Sequence, residues 1–328
     1  MKAIVWTGYG SPDVLQLREV EKPTPKENEV LIKVYAATVT AGDCEVRRLK
    51  LPVWIRFPLQ MYIGLTTPKR ITVLGQELAG EVEAVGKAVT RFKQGDPVFA
   101  PTYFRFGAYA EYACLPESYP ALKPANMTYE EAATIPTGGI NGLHFLRVAN
   151  VQPGERVLIH GAGGSIGTYA VQIAKTWGAE VSAVDSAEKL AMLRSIGADH
   201  VIDYRQQDFT KNGQTYDVII DVAGKSPFSG SIRVLKPKGR YILGNVSLPG
   251  MIRGRWTSST SDKKVIVAVA NYKAEDYAFL NELIEAGKVK AVIDRRYPLK
   301  QTADAHSYVE QGHKKGNVVI TVRQDNKG

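Results

Sequence analysis

The stretch VLIHGAGGSIGTYAVQIAK (residues 157–175) constrains the fold of this chain most, because it sets an apolar strand, a glycine-rich turn and a helix end to end. Small residues at such a junction let the backbone approach a ligand closely. The first N–H groups and the positive end of the helix then face an anion, which is the arrangement that cradles a pyrophosphate. The turn reads Ala162-Gly163-Gly164-Ser165-Ile166-Gly167, with Ala where the GxGxxG pattern begins with Gly. Its context strengthens it: the turn follows a strand, opens a helix, and precedes by eighteen residues, counted from Gly167, an Asp185 that ends the next strand. The expectation is a dinucleotide site on Gly164, Ser165, Ile166 and Gly167.

Asp185 stands where a carboxylate accepts hydrogen bonds from an adenosine ribose and repels a 2′-phosphate, which favours NAD(H). Ser186, Lys189 and Tyr204 pull the other way, as a polar and cationic cradle for that phosphate. On these residues alone the choice of cofactor stays open.

Around the turn, six β-runs alternate with helical or crossover stretches: 156–161, 180–185, 200–204, 216–222, 240–245 and 264–271. Parallel neighbours need crossovers and bury both faces, so this pattern predicts a doubly wound parallel sheet. The helices after the first two runs stop at Gly178 and Gly197, which suit left-handed caps. From Met1 to about Lys123 the chain instead reads as short β-runs punctuated by Gly, Pro and Asn, a compact β unit.

Composition narrows the class. With 328 residues, 44% of them apolar, the chain can fill two cores. The net charge of +9, from 42 Lys and Arg against 33 Asp and Glu, reads as a bias towards anionic ligands and not as a nucleic-acid surface, the acids being interspersed. Cys44 and Cys114 cannot make a four-cysteine zinc site, and so few cysteines suit a reducing, cytoplasmic setting. MKAIVWTGYG runs directly into strand-like sequence with no long apolar h-region, and no apolar run reaches about 18 residues, so neither a signal peptide nor a spanning helix is expected.

At AATVTAGDCEVR (36–47), LGQELAGEVEAVGKAVTRFKQGDPVFA (74–100), AATIPTGGINGLHFL (132–146), VLIHGAGGSIGTYAVQIAK (157–175) and LRSIGADHVIDY (193–204) the sequence resembles the medium-chain dehydrogenase/reductase superfamily. Within it the likeness is to the zinc-independent quinone oxidoreductase-like branch, over essentially the whole chain. The resemblance implies an α/β fold, a GroES-like β-domain plus a Rossmann doubly wound parallel sheet, divided as 1–124, 125–271 and a return of 272–328 to the first domain. It also implies a cleft site between domains, and a homodimer made by extending the Rossmann sheet through the edge strand 264–271. Cofactor contacts carried over fall on Asn141, near the pyrophosphate, Gly164 to Gly167, Asp185, Ser186, Lys189 and Tyr204, with Gly224 and Asn245 towards the nicotinamide and Asn317, near the C-terminus, as a further contact. NADP(H) is favoured on the resemblance and the Lys189/Tyr204 pair, with NAD(H) the alternative. His160 reads as structural.

Zinc is where the chain departs from the alcohol dehydrogenases, since Asp43 and Gln76 stand at what look like the first two ligand positions. An acid paired with an uncharged amide holds zinc poorly, so no metal is expected. Without a Lewis acid an alkoxide lacks stabilisation, whereas a conjugated acceptor spreads the charge over an enolate or hydroquinone oxygen. The expected substrate is therefore a quinone or an α,β-unsaturated carbonyl, reduced by hydride from NAD(P)H. Thr40, Asp43 and Tyr62 are the candidate substrate-side residues, although Asp43 also reads as a helix N-cap and Tyr62 as a buried loop aromatic. Two other readings stand beside this one. An enoyl-thioester reductase would use the same chemistry. A nucleotide-binding regulatory or membrane-peripheral protein with little turnover would suit RRLKLPVWIRFPLQMYIGL (47–65), which mixes cations with Trp54 and Phe57.

Overall fold

The computed structural model describes residues 1–245, 247–268 and 273–324. The chain divides into two compact units, Met1–Thr137 with Ile293–Gly328, and Gly138–Val292. The first unit opens with β1 (Lys2–Trp6), β2 (Leu15–Glu19) and β3 (Glu29–Thr38). Two helices follow, α1 (Ala41–Arg48) and α2 (Val53–Ile63), then β4 (Glu77–Val85), β5 (Pro97–Pro101), β6 (Tyr112–Pro116), β7 (Ala121–Leu122) and α3 (Tyr129–Ala132).

The second unit holds α4 (Ile140–Val148), β8 (Arg156–His160), α5 (Ser165–Thr176), β9 (Glu180–Asp185), α6 (Ala187–Ser195), β10 (His200–Asp203) and β11 (Tyr216–Asp221). It continues through α7 (Phe228–Val234), β12 (Leu235–Leu243), α8 (Leu248–Thr260), β13 (Lys264–Val267) and α9 (Ala274–Glu285). The chain then returns to the first unit as β14 (Ile293–Pro298), α10 (Thr302–Glu310) and β15 (Asn317–Thr321).

In the first unit β3 is the central strand, antiparallel to β4, β6 and β15. Its run EVLIKVYAAT is apolar at almost every position because the core lies on both faces, with Val30, Ile32 and Val34 packed among Leu78, Val82 and Val98. Gly80 sits by the register shift between Val34 and Ala36, where a Cβ would come within 2.1 Å of the Lys33 carbonyl oxygen. Only glycine fits that approach.

The second unit carries one parallel sheet of order β10-β9-β8-β11-β12-β13. This is the doubly wound order, and the order in which strands are added switches from one side of β8 to the other at β11, so the carboxyl ends of β8 and β11 border the crevice where such sheets bind ligands. The fully apolar runs VLI in β8 and VII in β11 follow from burial on both faces. Gly138 and Gly142 let α4 lie against α5: a Cβ on Gly142 would be 3.0 Å from the Ala170 amide nitrogen.

Expected and observed divisions differ. Residues 125–137 stay with the first unit, where the Thr137 N–H donates to Glu77 and the Tyr129 ring stacks on Tyr35 at 4.4 Å. The boundary at 271/272 falls outside the described residues, but α9 belongs to the second unit, held to α4 by the Arg147–Asp276 ion pair. Of the run 264–271, β13 covers Lys264–Val267, and residues 269–271 lie outside the described residues. Strand β2 and helices α2 and α8 are elements that the sequence reading did not contain. No described helix is long and apolar enough to cross a membrane.

Candidate functional site

In the second unit the glycine turn is built for close approach. Gly161 has φ +80°, and a Cβ there would lie 2.8 Å from the Ala223 Cβ, so the loops after β8 and β11 touch. A Cβ on Gly167 would come within 2.5 Å of Ala162 Cα and of two carbonyl oxygens, which seats α5 directly on the turn. Gly164 is the N-cap of α5, extended at φ −90°, and a Cβ on it would meet nothing nearer than the Gly161 oxygen at 3.7 Å. The turn is therefore crowded behind and open in front. The first N–H groups of α5 have no preceding carbonyl in the helix to bond, which makes this the natural seat of an anion. A dinucleotide fits these residues.

Asp185, Ser186, Lys189 and Tyr204 come together beside the turn, but not as four free groups. Asp185 Oδ2 accepts the Gly163 N–H at 2.8 Å and Oδ1 accepts the Ser186 N–H at 2.9 Å, while the Lys189 ammonium lies 3.1 Å from Oδ1. Both Asp185 and Lys189 are buried, and the Lys189 stem lies over Gly163, where a Cβ would be 2.5 Å from its Cδ. The expected tug between carboxylate and ammonium thus takes the form of an ion pair. Tyr204 is exposed and donates its backbone N–H to the Asp185 carbonyl at 3.2 Å.

At the neighbouring strand end His160 Nδ1 lies 3.1 Å from Asp221, which also accepts the N–H groups of Gly224 and Ser226 and the Ser226 hydroxyl. Burial alone would raise the Asp221 carboxyl, yet hydrogen bonds from His160 and Ser226 hold it below its ordinary range. His160 thus anchors the β11–α7 loop. That loop sets Gly224, at φ +65°, against Asn245: a Cβ on Gly224 would be 2.7 Å from the Asn245 Cβ. Asn141 lies in the first turn of α4, whereas Asn317 is buried at the start of β15 in the other unit.

In the first unit Thr40 and Asp43 form a reciprocal capping box on α1. Thr40 Oγ1 accepts the Asp43 N–H at 3.0 Å, and Asp43 Oδ2 accepts from the Thr40 N–H at 2.9 Å and hydroxyl at 2.7 Å. The N-cap is therefore Thr40, and Asp43 is the third residue of the helix, because its carboxylate reaches back over the first turn. Asp43 is 0% exposed, and burial pushes its carboxyl up to about 6 despite the bonds from Thr40. Tyr62 is on α2 and not in a loop, 39% exposed, with the Arg70 guanidinium 4.3 Å from its ring centroid.

The sequence reading missed the buried polar cluster behind Thr40. Glu77, inside the quoted LGQELAG motif, accepts from the Thr38 hydroxyl and, at 2.6 Å, from the Thr137 N–H; burial raises its carboxyl to about 7. Tyr109 donates to the Thr38 carbonyl at 3.1 Å, so the His306 Nε2, 3.3 Å away, is the donor to the Tyr109 oxygen. His306 Nδ1 then accepts from the Cys44 thiol at 3.4 Å. Burial lowers His306 to about 3 and raises Cys44 to about 12, so both are neutral. The LGQELAG motif marks Glu77, but nothing local in the sequence joins it to Thr38, Tyr109, Cys44 and His306, which lie as far apart as positions 38 and 306.

Among the described residues no group of three or more His, Cys, Asp or Glu could hold a metal ion. The two positions at issue are engaged otherwise: Asp43 caps α1, and the Gln76 amide lies over Gly42, where a Cβ would be 3.1 Å from its Nε2. These residues do not fit a catalytic zinc.

A sequence profile described as "Alcohol dehydrogenase GroES-like domain" matches residues 26–179, and one described as "Zinc-binding dehydrogenase" matches residues 196–320. The chain is 32% identical over 335 residues to a quinone-oxidoreductase homolog of Spinacia oleracea, covering 98% of each chain. It is 34% identical over 334 residues to an NADPH-dependent alkenal/one oxidoreductase of Arabidopsis thaliana, covering 98% of this chain and 79% of the relative. Among solved structures, the quinone oxidoreductase from Coxiella burnetii superposes with a TM-score of 0.89 at 29% identity, over 98% of this chain and 99% of that one. With the glycine turn, the doubly wound sheet and the GroES-like unit in place, this chain belongs to the medium-chain dehydrogenase/reductase superfamily, in its quinone oxidoreductase-like branch.

Proposed function

We propose that the chain is an oxidoreductase that transfers hydride from NADPH to a quinone or an α,β-unsaturated carbonyl, without zinc. The observation that carries the reading is the turn at Gly164–Gly167, crowded behind, open in front and set at the head of α5. The names of the Spinacia and Arabidopsis relatives support the acceptor class, and the latter name supports NADPH.

When bound, the reduced nicotinamide supplies the hydride. The turn holds the pyrophosphate, and Ser186, Lys189 and Tyr204 hold the adenosine end. Lys189 neutralises Asp185, which lowers the repulsion a 2′-phosphate would meet and leaves the carboxylate less able to accept from a ribose. Asn141 serves the pyrophosphate, Gly224 and Asn245 serve the nicotinamide side, and Asn317 is a further cofactor contact. Thr40 and Asp43, buried and bonded to each other, position the start of α1. Tyr62, the exposed member of the three substrate-side candidates, is the donor to the oxygen on which negative charge develops.

We further propose a cytoplasmic homodimer. The support is that Cys44 and Cys114 are free thiols and that β13 pairs only with β12, which leaves one edge open among the described residues.

The experiment is oxidation of NADPH and NADH by chelator-treated protein with a benzoquinone and a short 2-alkenal. Turnover with NADPH that survives EDTA is expected, and activity lost on chelation and restored by zinc would overturn the metal-free reading. Lys189→Ala frees the Asp185 carboxylate, so the NADPH/NADH ratio of kcat/KM should fall about tenfold or more. Tyr62→Phe should lower kcat about tenfold or more, leaving nucleotide affinity unchanged.

A further inference from the structure

Helix α2 has two apolar faces, and among the described residues only one of them is covered. Leu59 and Ile63 are buried in the core of the first unit. At 100° per residue, Val53, Trp54, Phe57 and Met61 gather on the opposite side. They are 78%, 53%, 61% and 61% exposed, and Leu65 just beyond the helix is 61% exposed. A soluble surface helix ordinarily turns charged residues outward at these positions.

The charge around the face is one-sided. Residues 46–76 contain no Asp or Glu and six cations: Arg47, Arg48, Lys50, Arg56, Lys69 and Arg70. Arg47 is buried against Glu310, and Arg48 lies 3.6 Å from the same carboxylate, so that acid is shared by two of the six. Lys50, Arg56, Lys69 and Arg70 are exposed, and of these Lys50 has the Glu45 carboxylate near it. The general interspersion of charges along the chain fails here.

We propose that α2 seats this chain on the surface of an anionic phospholipid bilayer. The exposed stripe of Trp, Phe, Met and Val enters the headgroup boundary, and the flanking lysine and arginine side chains reach the phosphates. A second copy of the chain is a poor occupant, since a two-fold contact would set the same cations against themselves. The assignment does not rest on the hydride chemistry proposed above, and it uses residues of α2 other than Tyr62.

The test is flotation of the whole protein with vesicles of phosphatidylcholine alone and with added phosphatidylglycerol. Binding is expected only with the anionic lipid and should weaken as salt is raised. Trp54 emission should shift to the blue on binding, and the shift should vanish in Trp54→Phe. Phe57→Ser with Met61→Ser should lose flotation. Lys50→Gln, Arg56→Gln and Lys69→Gln together should weaken it roughly fivefold per charge. These are surface positions, and an unchanged thermal midpoint verifies the fold. Equal flotation on neutral lipid, flotation unaffected by the substitutions, no flotation at low salt, or a self-association that Phe57→Ser abolishes without any lipid binding would each overturn the proposal.

Discussion

At the scale of single residues, the decisive groups are buried carboxyls. Asp43 moves from its ordinary 3.8 to about 6 and Glu77 from 4.5 to about 7, in both cases because burial disfavours the charge. Between roughly pH 4 and 7 the folded chain therefore keeps protons that the unfolded chain has released. Stability falls as pH rises through that window and levels off above it. Two to three pH units correspond to roughly 3 kcal/mol for each carboxyl. Asp43→Asn and Glu77→Gln should each remove their share of the slope, read as urea midpoints at several pH values, and an unchanged slope would place the titration elsewhere. Asp43 was legible as a polar residue of a capping pattern, but its burial was not, because burial depends on what packs over α1.

Elements are joined by a few specific contacts. Gly167 is where α5 meets the turn, and Gly167→Ala would force a Cβ to within 2.5 Å of backbone atoms that cannot yield. A loss of roughly 2–3 kcal/mol in urea stability, with nucleotide binding abolished in calorimetry, is expected. Helix α1 is tied to α10 by Arg47, whose side chain is fully buried against Glu310. Removing the acid strands a buried guanidinium, whereas replacing the arginine by an apolar group of similar length removes the charge itself. Glu310→Gln should therefore cost more stability than Arg47→Met, by about 1–2 kcal/mol; the reverse order would mean that packing of the arginine stem dominates. The glycine turn and six parallel strands could be read directly, since strand, turn and helix are local and periodic. Helix α2 could not, because Pro58 and an apolar outer face break the expected pattern of an amphipathic helix.

For the molecule as a whole, the edge of β13 left unpaired among the described residues bears on assembly. A homodimer formed through that edge predicts a solution mass of twice the 36.0 kDa chain, and Ile266→Lys should return it to one chain by light scattering. A dimer that survives Ile266→Lys would have to use another surface. The sequence by itself determined the doubly wound order of elements, the nucleotide turn and the absence of soft ligands at positions 43 and 76, because each is written in local spacing and residue type. Only the tertiary structure decided that Asp185 and Lys189 pair with each other, that His306 is held neutral between Tyr109 and Cys44, and that α2 leaves an apolar face uncovered. The Asp185–Lys189 pair has a local i,i+4 spacing, but its burial, like the other two outcomes, depends on which distant segments exclude water from a group.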